Sequence, residues 1–185
     1  GRSFKRYSRS PILKLTNKEP FAILTAPYVM RIKKNKWFMW YVSCNEWVNK
    51  DYPKYDIKLA VSKDGKNWSQ DGSTSIKLRK NERAVARPSV LYESRKYKMW
   101  FCYEKKVGKY KIGYAESNNG KDWKRNDKKA NIYPGKKELD NKMIAYPHVV
   151  KHNNIKYMFY NGNDYGKEGV FLAIESKNNS FEKKN

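Results

Sequence analysis

The sequence contains little cysteine and little histidine, with two of each among 185 residues. Cys44 and Cys102 do not form the regularly spaced set of a disulfide framework, and neither has the neighbours of a zinc site. Unpaired cysteines favour a reducing compartment, so we predict a cytoplasmic protein without a metal centre. No motif for a cofactor is present, and none is predicted.

Long hydrophobic runs are also missing. No stretch approaches the roughly 18 consecutive apolar residues that a membrane-spanning helix needs. No signal peptide is visible at the start of the sequence. We therefore predict a protein without a membrane span.

Acidic residues are scarce. The sequence has 18 Asp and Glu but 41 Lys and Arg, which gives a formal net charge of +23. Such a surplus attracts polyanions such as nucleic acid, anionic lipid or an acidic glycan. However, 32 of these residues are lysines scattered over turns and strand surfaces, and nine are arginines. Nucleic-acid sites more often cluster arginine, so the pattern favours a solvated surface and makes a nucleic-acid partner an unfavoured alternative.

Aromatic residues are abundant, and they occur in a repeat of about 60 residues. Pro27, Pro88 and Pro147 are spaced by 61 and 59 residues, and each is followed two positions later by valine. In the central copy we predict strands over Val85–Tyr92, Tyr97–Tyr103 and Tyr110–Glu116, because β-branched and aromatic runs are bounded there by Gly and Asn. Each copy closes on an aromatic residue: Trp68, Trp123 and Phe181.

The closing turn has the same chemistry in two copies, Ser62–Trp68 and Ser117–Trp123. Asp or Asn in such a turn can bond its own backbone, Gly accepts a positive φ, and the aromatic ring packs on the sheet. We interpret this turn as structural rather than catalytic.

A four-stranded unit of this length cannot bury both faces of its sheet alone, so the repeat predicts an all-β fold of the β-propeller type. The predicted blades span residues 25–80, 81–138 and 139–185. Residues 1–24 are expected to complete a preceding blade with an outer strand through Ile12, since Ile12 follows Phe4 as Ile76 follows Trp68. Three blades cannot close a ring, so we expect this chain to be a piece of a longer protein.

The candidate site lies where the first strands of the blades begin, because side chains from several blades converge there. Arg87 precedes Pro88 and Tyr146 precedes Pro147. Strand alternation places Tyr146 and His148 on the same side, as candidate substrate-binding residues. An arginine at this position can fork onto a carboxylate or phosphate; alternatively it pairs internally with a carboxylate.

Glu82 and Asp140 precede the strands of Arg87 and Tyr146 by similar spacings. Two converging carboxylates are what glycoside hydrolysis requires, so both are candidate catalytic residues. The alternative is that both are loop carboxylates that balance nearby Lys and Arg.

The connections between the second and third strands carry further candidates for substrate binding. Amide and carboxylate groups bind sugar hydroxyls, and aromatic rings stack on sugar faces. The candidates are Trp47, Asn161, Asn163 and Asp164. The alternative is a Gly-rich turn with Asn in left-handed conformations.

A resemblance rests on the segments AVARPSV, YKMWFCY, YKIGYAESNNGKDW, AYPHV and YMFYNGNDYG. They are similar to the later blades of five-bladed β-propeller glycosidase-like proteins, which share their fold with glycoside hydrolase families 43, 32 and 68. The resemblance implies a ring of five blades, with this chain as its third to fifth blades and an N-terminal portion supplying the others. It also implies that the usual catalytic aspartates lie in that portion. The acid glutamate usual before the proline is absent from Thr25-Ala26-Pro27.

These observations predict a carbohydrate-active, glycosidase-like propeller that binds or processes a glycan or sugar nucleotide in its central funnel. The resemblance also implies a link to surface-polysaccharide metabolism. Whether the protein is a hydrolase stays open at this point. The alternative is a non-catalytic glycan-binding propeller, or a scaffold whose Lys-rich surface binds an acidic partner.

Overall fold

The structure is a computed structural model that describes residues 3–176 and 181–183. Twelve strands occur in that part of the chain. The first eight belong to one sheet and the last four to another, and the eight-stranded sheet divides into two blades of four antiparallel strands each. The first blade contains β1 (Leu24–Lys33), β2 (Lys36–Asn49), β3 (Tyr52–Ser62) and β4 (Trp68–Ile76). The second contains β5 (Ala84–Glu93), β6 (Lys96–Glu104), β7 (Lys111–Ser117) and β8 (Lys124–Arg125). The third contains β9 (Ala145–His152), β10 (Ile155–Asn161), β11 (Val170–Glu175) and β12 (Phe181–Lys183).

The predicted all-β architecture is confirmed, and the three strands predicted in the second blade each lie within one residue of the observed bounds. Within a blade, neighbouring strands are antiparallel, as expected for strands joined by short hairpins. A single parallel bridge between Tyr55 and Ala84 joins the first two blades.

The blades pack face to face, and the repeat in the sequence is also a repeat in the packing. Val90, Met99 and Ala115 lie side by side on the second blade and pack against Trp40 and Leu59 of the first. The equivalent Val149, Met158 and Ala173 of the third blade pack against Trp100 and Tyr114 of the second. The second and third blades therefore each bury one face against the blade before them, which is the arrangement that the propeller prediction requires.

The closing turns have the predicted structural chemistry. Asp64 accepts hydrogen bonds from the backbone N–H groups of Lys66 and Asn67, both at 2.8 Å. Gly65 and Gly120 adopt φ of 74° and 73°. The indole of Trp40 donates to the Gly120 carbonyl at 3.0 Å, so the turn of the second blade is held against the core of the first.

The predicted outer strand through Ile12 is wrong. Residues 3–23 contain no strand, and their backbone pairing is an isolated bridge between Thr16 and Glu19. The segment is fixed through side chains instead, because buried Glu19 accepts a hydrogen bond from the Tyr41 hydroxyl at 2.7 Å and Leu13 packs beside it. The first two residues of the predicted preceding blade, Gly1 and Arg2, lie outside the described residues.

No helix in residues 3–176 and 181–183 is long and apolar enough to span a membrane.

Candidate functional site

The first strand of each blade contains a bulge directly before its proline. Ala26, Arg87 and Tyr146 have φ of 48°, 56° and 56°, and the pairing register shifts at each of these points. A residue with a Cβ pays roughly 1–2 kcal/mol in the left-handed region. Such strain persists only where the surroundings enforce it, and it concentrates at functional sites. We call these three residues the strand-start positions.

The bulge changes the predicted direction of His148. Simple alternation would place His148 beside Tyr146, but the register pairs His148 with Phe159, and both side chains are exposed. Tyr146 instead turns toward the second blade. Ser89, which follows Pro88 as His148 follows Pro147, is buried and accepts a hydrogen bond from the Val149 N–H at 2.9 Å. The expectation that His148 shares the direction of Tyr146 is therefore wrong.

The strand-start positions converge on one cavity of about 460 Å³. Loops and hairpins of the first two blades complete its walls. The lining residues are Ile23, Thr25, Ala26, Val42, Asp51, Pro53, Tyr55, Arg83, Ala86, Arg87, Val107, Tyr110 and Tyr146. The guanidinium of Arg87 lies 5.1 Å from the centre of the Tyr146 ring, a cation–π contact between neighbouring blades.

Tyrosine rings form the aromatic side of this cavity. The rings of Tyr110 and Tyr146 are 5.9 Å apart, and Tyr165 lies 6.4 Å from Tyr146 in a nearly parallel arrangement. The hydroxyls of Tyr55 and Tyr110 are 2.8 Å apart. Aromatic surfaces with polar edges suit a ligand that has both an apolar face and hydroxyl groups.

The hydroxyls of Tyr110 and Tyr146 keep their protons at neutral pH. Burial raises the pKa of Tyr146 to about 12, and burial also raises the pKa of Tyr110. Burial likewise raises the pKa of the Cys102 thiol to about 12, and this thiol bonds the Ala86 carbonyl. Tyr110 and Tyr146 are therefore neutral hydrogen-bonding groups, and Cys102 is not an activated nucleophile.

Arg83 is a cavity residue that the sequence analysis missed. Its guanidinium pairs with the buried Glu104 carboxylate and donates to the Pro53 carbonyl at 3.2 Å. It also lies over the rings of Tyr52 and Tyr55, at 5.4 and 5.3 Å. Arg83 therefore fixes the Tyr55 wall of the cavity. The partner Glu104 lies on the neighbouring strand, so sequence spacing gave no signal for this pair.

Glu82, predicted as catalytic, is committed to a structural ion pair. Its two carboxylate oxygens accept from Arg125, both at 2.8 Å, and one of them also accepts from the Arg79 N–H at 2.8 Å. Arg125 in turn lies over the rings of Phe101 and Tyr103. Glu82 is not part of the cavity lining, so the geometry supports the structural alternative.

Asp140, the second predicted catalytic residue, is also engaged elsewhere. It is buried, and it accepts hydrogen bonds from the Tyr160 hydroxyl at 2.8 Å and the Gly135 N–H at 3.1 Å. It does not line the cavity either. The expectation that Glu82 and Asp140 converge on the funnel is therefore wrong. Each carboxylate instead orders the loop between strands in which it lies.

The remaining predicted binding residues lie around the cavity rather than on its wall. Trp47 is 41% exposed and lies opposite Pro53 near the end of the β2–β3 hairpin. Asn161 donates to the Gly169 carbonyl, and Asn163 accepts from the Lys142 N–H at 2.8 Å, so both hold backbone. Asp164 is exposed, with a φ of 52°.

The turn containing Asp164 contributes an aromatic ring that the sequence analysis did not select. Tyr165 has a φ of 60° and lies next to Tyr110 and Tyr146. Adjacent left-handed residues turn the chain back toward the second blade. The Asn- and Gly-rich composition indicated a turn here, but not which side chain it would direct inward.

No group of three or more His, Cys, Asp or Glu side chains in the described ranges is arranged to hold a metal ion.

Comparison with known proteins places this fold among glycosidase-like propellers. The chain superposes on Zg3597, a family 117 glycoside hydrolase of the marine bacterium Zobellia galactanivorans, with a TM-score of 0.76 and 18% identity. That match covers 97% of this chain and 60% of the other. A GH32 β-fructofuranosidase of Bombyx mori, BmSUC1, gives a TM-score of 0.62 with 11% identity. This second match covers 86% of this chain and 36% of the BmSUC1 chain. At these identities the likeness shows the fold alone.

Sequence comparison finds two uncharacterized proteins of Mycobacterium tuberculosis, MT1551 and Rv1502. Each is 32% identical over 176 residues, or 94% of this chain. The chain spans 58% of the length of these relatives. No family model matches the sequence.

Proposed function

We propose that this chain belongs to a carbohydrate-active, glycosidase-like propeller that binds a glycan or sugar nucleotide in the cavity at the strand-start positions. The observation that carries the proposal is the convergence of Arg87, Tyr146 and the tyrosine cluster on one cavity. Sugars present an apolar ring face and a periphery of hydroxyls, and stacked tyrosines with neutral hydroxyls complement both.

A second part of the proposal concerns the ring. The alignment of 176 residues covers 58% of the length of each relative, so each relative is about 300 residues long. About 125 residues of each relative are therefore unmatched. That remainder is about two repeats of 59–61 residues. We propose that an N-terminal portion outside this sequence supplies two further blades and completes a ring of five.

The exposed face of the third blade supports such a continuation. Trp100 of the second blade is 3% exposed because the third blade covers it, whereas the equivalent Phe159 is 40% exposed. Phe159→Asp tests this in the full-length gene product. If a further blade covers Phe159, a buried charge will lower the melting temperature strongly, while the exposed control Tyr133→Asp will not. Equal melting temperatures would remove the ring proposal.

The cavity as described contains one lining carboxylate, Asp51, on the β2–β3 hairpin. Hydrolysis by the usual route needs two carboxylates about 5 to 10 Å apart. A hydrolase would therefore take at least one catalytic carboxylate from the proposed additional blades. The single carboxylate is the observation that favours the second candidate, a propeller that binds glycan without cleaving it.

Glycan-array binding of the full-length gene product tests the proposed function. Tyr146→Ala should abolish glycan binding, because it removes the central ring of the cluster, while Tyr133→Ala should not. Binding that is equal in both variants, or absent from the unmodified protein, would overturn the proposal. Measured sugar release, lost in Asp51→Asn, would favour the enzyme over the binding protein.

Two free buried cysteines, Cys44 and Cys102, fit the proposal that the protein acts in the cytoplasm, in surface-polysaccharide metabolism. Fractionation of cells producing the full-length gene product checks the compartment. Recovery outside the cytoplasm would contradict it.

A further inference from the structure

The cavity contains two guanidinium groups that differ in how their charge is balanced. Arg83 is paired with Glu104, and both side chains are buried. Arg87 forms no ion pair with any residue in 3–176 or 181–183, and its contact is the ring of Tyr146. The internal pairing of Arg87 considered from the sequence is not formed, because Glu82 pairs with Arg125 and Asp51 is not within ion-pair distance of Arg87.

The position of Arg87 is also enforced by the backbone. Arg87 occupies the left-handed region directly before Pro88, at a break in strand pairing. Because a residue with a Cβ is strained there, a smaller residue or glycine would be easier to accommodate. The fold therefore holds a charged side chain at a costly position and directs it into the cavity.

Lysines near the cavity add to the positive charge of Arg87. The loop that contributes Val107 to the wall has the sequence Lys105-Lys106-Val107-Gly108-Lys109. Asp51, the lining carboxylate, is exposed to solvent on the opposite hairpin. Basic groups at a concave surface raise the local concentration of anions.

We infer that the cavity binds a sugar carrying an oxyanion, a carboxylate or a phosphate, with the anion on Arg87 and the sugar ring against Tyr146. This inference deepens the proposed function and rests on it. Arg87 presents parallel N–H donors that match a carboxylate or phosphate edge. The cation–π contact holds the guanidinium beside the Tyr146 ring, so that one ligand could reach both groups. The neighbouring Tyr165 ring extends the same aromatic surface.

Calorimetric titration of the full-length gene product with four probes tests the inference. The probes are D-glucuronate, D-glucose 1-phosphate, D-glucose and inorganic phosphate. The first two should differ in strength, and the stronger identifies the oxyanion as carboxylate or phosphate. Glucose should bind at least about tenfold more weakly than the stronger anionic sugar, because the charge-assisted hydrogen bonds are lost. Phosphate alone should bind more weakly than glucose 1-phosphate, because it lacks the ring.

Matched variants locate the effect. Arg87→Gln should weaken binding of the anionic sugar about tenfold or more while leaving glucose unchanged, and Arg87→Lys should lie between, since it keeps charge without the fork. Arg31→Gln is the control, because Arg31 also lies over an aromatic ring, Trp37, and is exposed outside the cavity. Arg31→Gln should bind like the unmodified protein.

The outcomes separate this inference from the proposed function. If glucose binds as tightly as both anionic sugars, or if Arg87→Gln binds them normally, the oxyanion inference fails and sugar binding stands. If no sugar binds, both fail. If inorganic phosphate binds as tightly as glucose 1-phosphate does, Arg87 is a binding site for anions alone. That result would overturn the assignment of a sugar.

Discussion

Replacing Glu82 by glutamine separates the structural role that the geometry gives this residue from the catalytic role that its sequence position indicated. The side chain of Glu82 is 2% exposed and that of Arg125 is 9% exposed. Glutamine keeps the shape and one acceptor oxygen but removes the charge. If the ion pair fixes the connection between β4 and β5 to the second blade, the loss will appear in stability.

The magnitude follows from the partners that remain. Leaving a buried charge without its partner costs about 3–5 kcal/mol. Arg125 keeps Asp127 at 2.9 Å, so its charge stays partly balanced in the variant. We therefore expect a loss of about 2–3 kcal/mol in the free energy of unfolding. With a urea m-value of about 2–3 kcal/mol/M, the unfolding midpoint should fall by about 1 M.

Urea unfolding of the full-length gene product, followed by tryptophan fluorescence, measures this shift. Glu46→Gln is the matched control, because the Glu46–Lys54 pair is 52% and 37% exposed and such pairs contribute only about 0–1 kcal/mol. Sugar binding by Glu82→Gln should be normal at low urea. A midpoint equal to that of Glu46→Gln, together with lost sugar processing, would refute the structural reading and restore Glu82 as a catalytic residue.

Three further predictions follow from the geometry. Ala26→Val should lower stability by about 1–2 kcal/mol in denaturant melts, because a β-branched residue fits a positive φ worse than alanine does. Ala26→Gly should be nearly neutral, because the strain that it relieves is offset by the backbone entropy of glycine, and equal effects of the two substitutions would contradict the strain. Burial opposes ionisation of Glu93, but hydrogen bonds from three lysines outweigh the burial and lower the pKa of Glu93 to about 2. The stability that this carboxylate contributes should therefore be present above about pH 4.5 and be lost as the pH falls toward 2. Glu93→Gln should flatten acid-unfolding curves in that window, and an unchanged pH profile would exclude the linkage. Gly113→Ala should destabilise by about 1–3 kcal/mol, since its Cβ would lie 2.6 Å from Phe101 Cζ, and a neutral thermal melt would contradict this packing.

The strands were predictable because their signals are local. Aromatic and β-branched runs between Gly and Asn fixed β5, β6 and β7 to within a residue, and the spacing of the three prolines gave the repeat. The strand predicted before β1 was wrong because Ile12 was matched to Ile76 by residue type alone, without a strand for it to pair with. A strand forms only where a neighbouring strand receives its hydrogen bonds.

The site was predictable only in part, for two physical reasons. The convergence of Arg87 and Tyr146 followed from strand order, but their direction depends on a bulge that alternation does not foresee. The fates of Glu82 and Asp140 depend on contacts with Arg125 and Tyr160 from distant strands. Sequence spacing carries no information about such partners.

The most direct test of the central claim is a crystal structure of the full-length gene product soaked with the stronger of the two anionic sugars. We expect the sugar to lie in the cavity at the strand-start positions, with its ring against Tyr146 and its oxyanion within hydrogen-bond distance of Arg87. Sugar bound instead in the outer cleft of about 560 Å³ lined by Trp68 and Lys121, with none at Arg87, would contradict it.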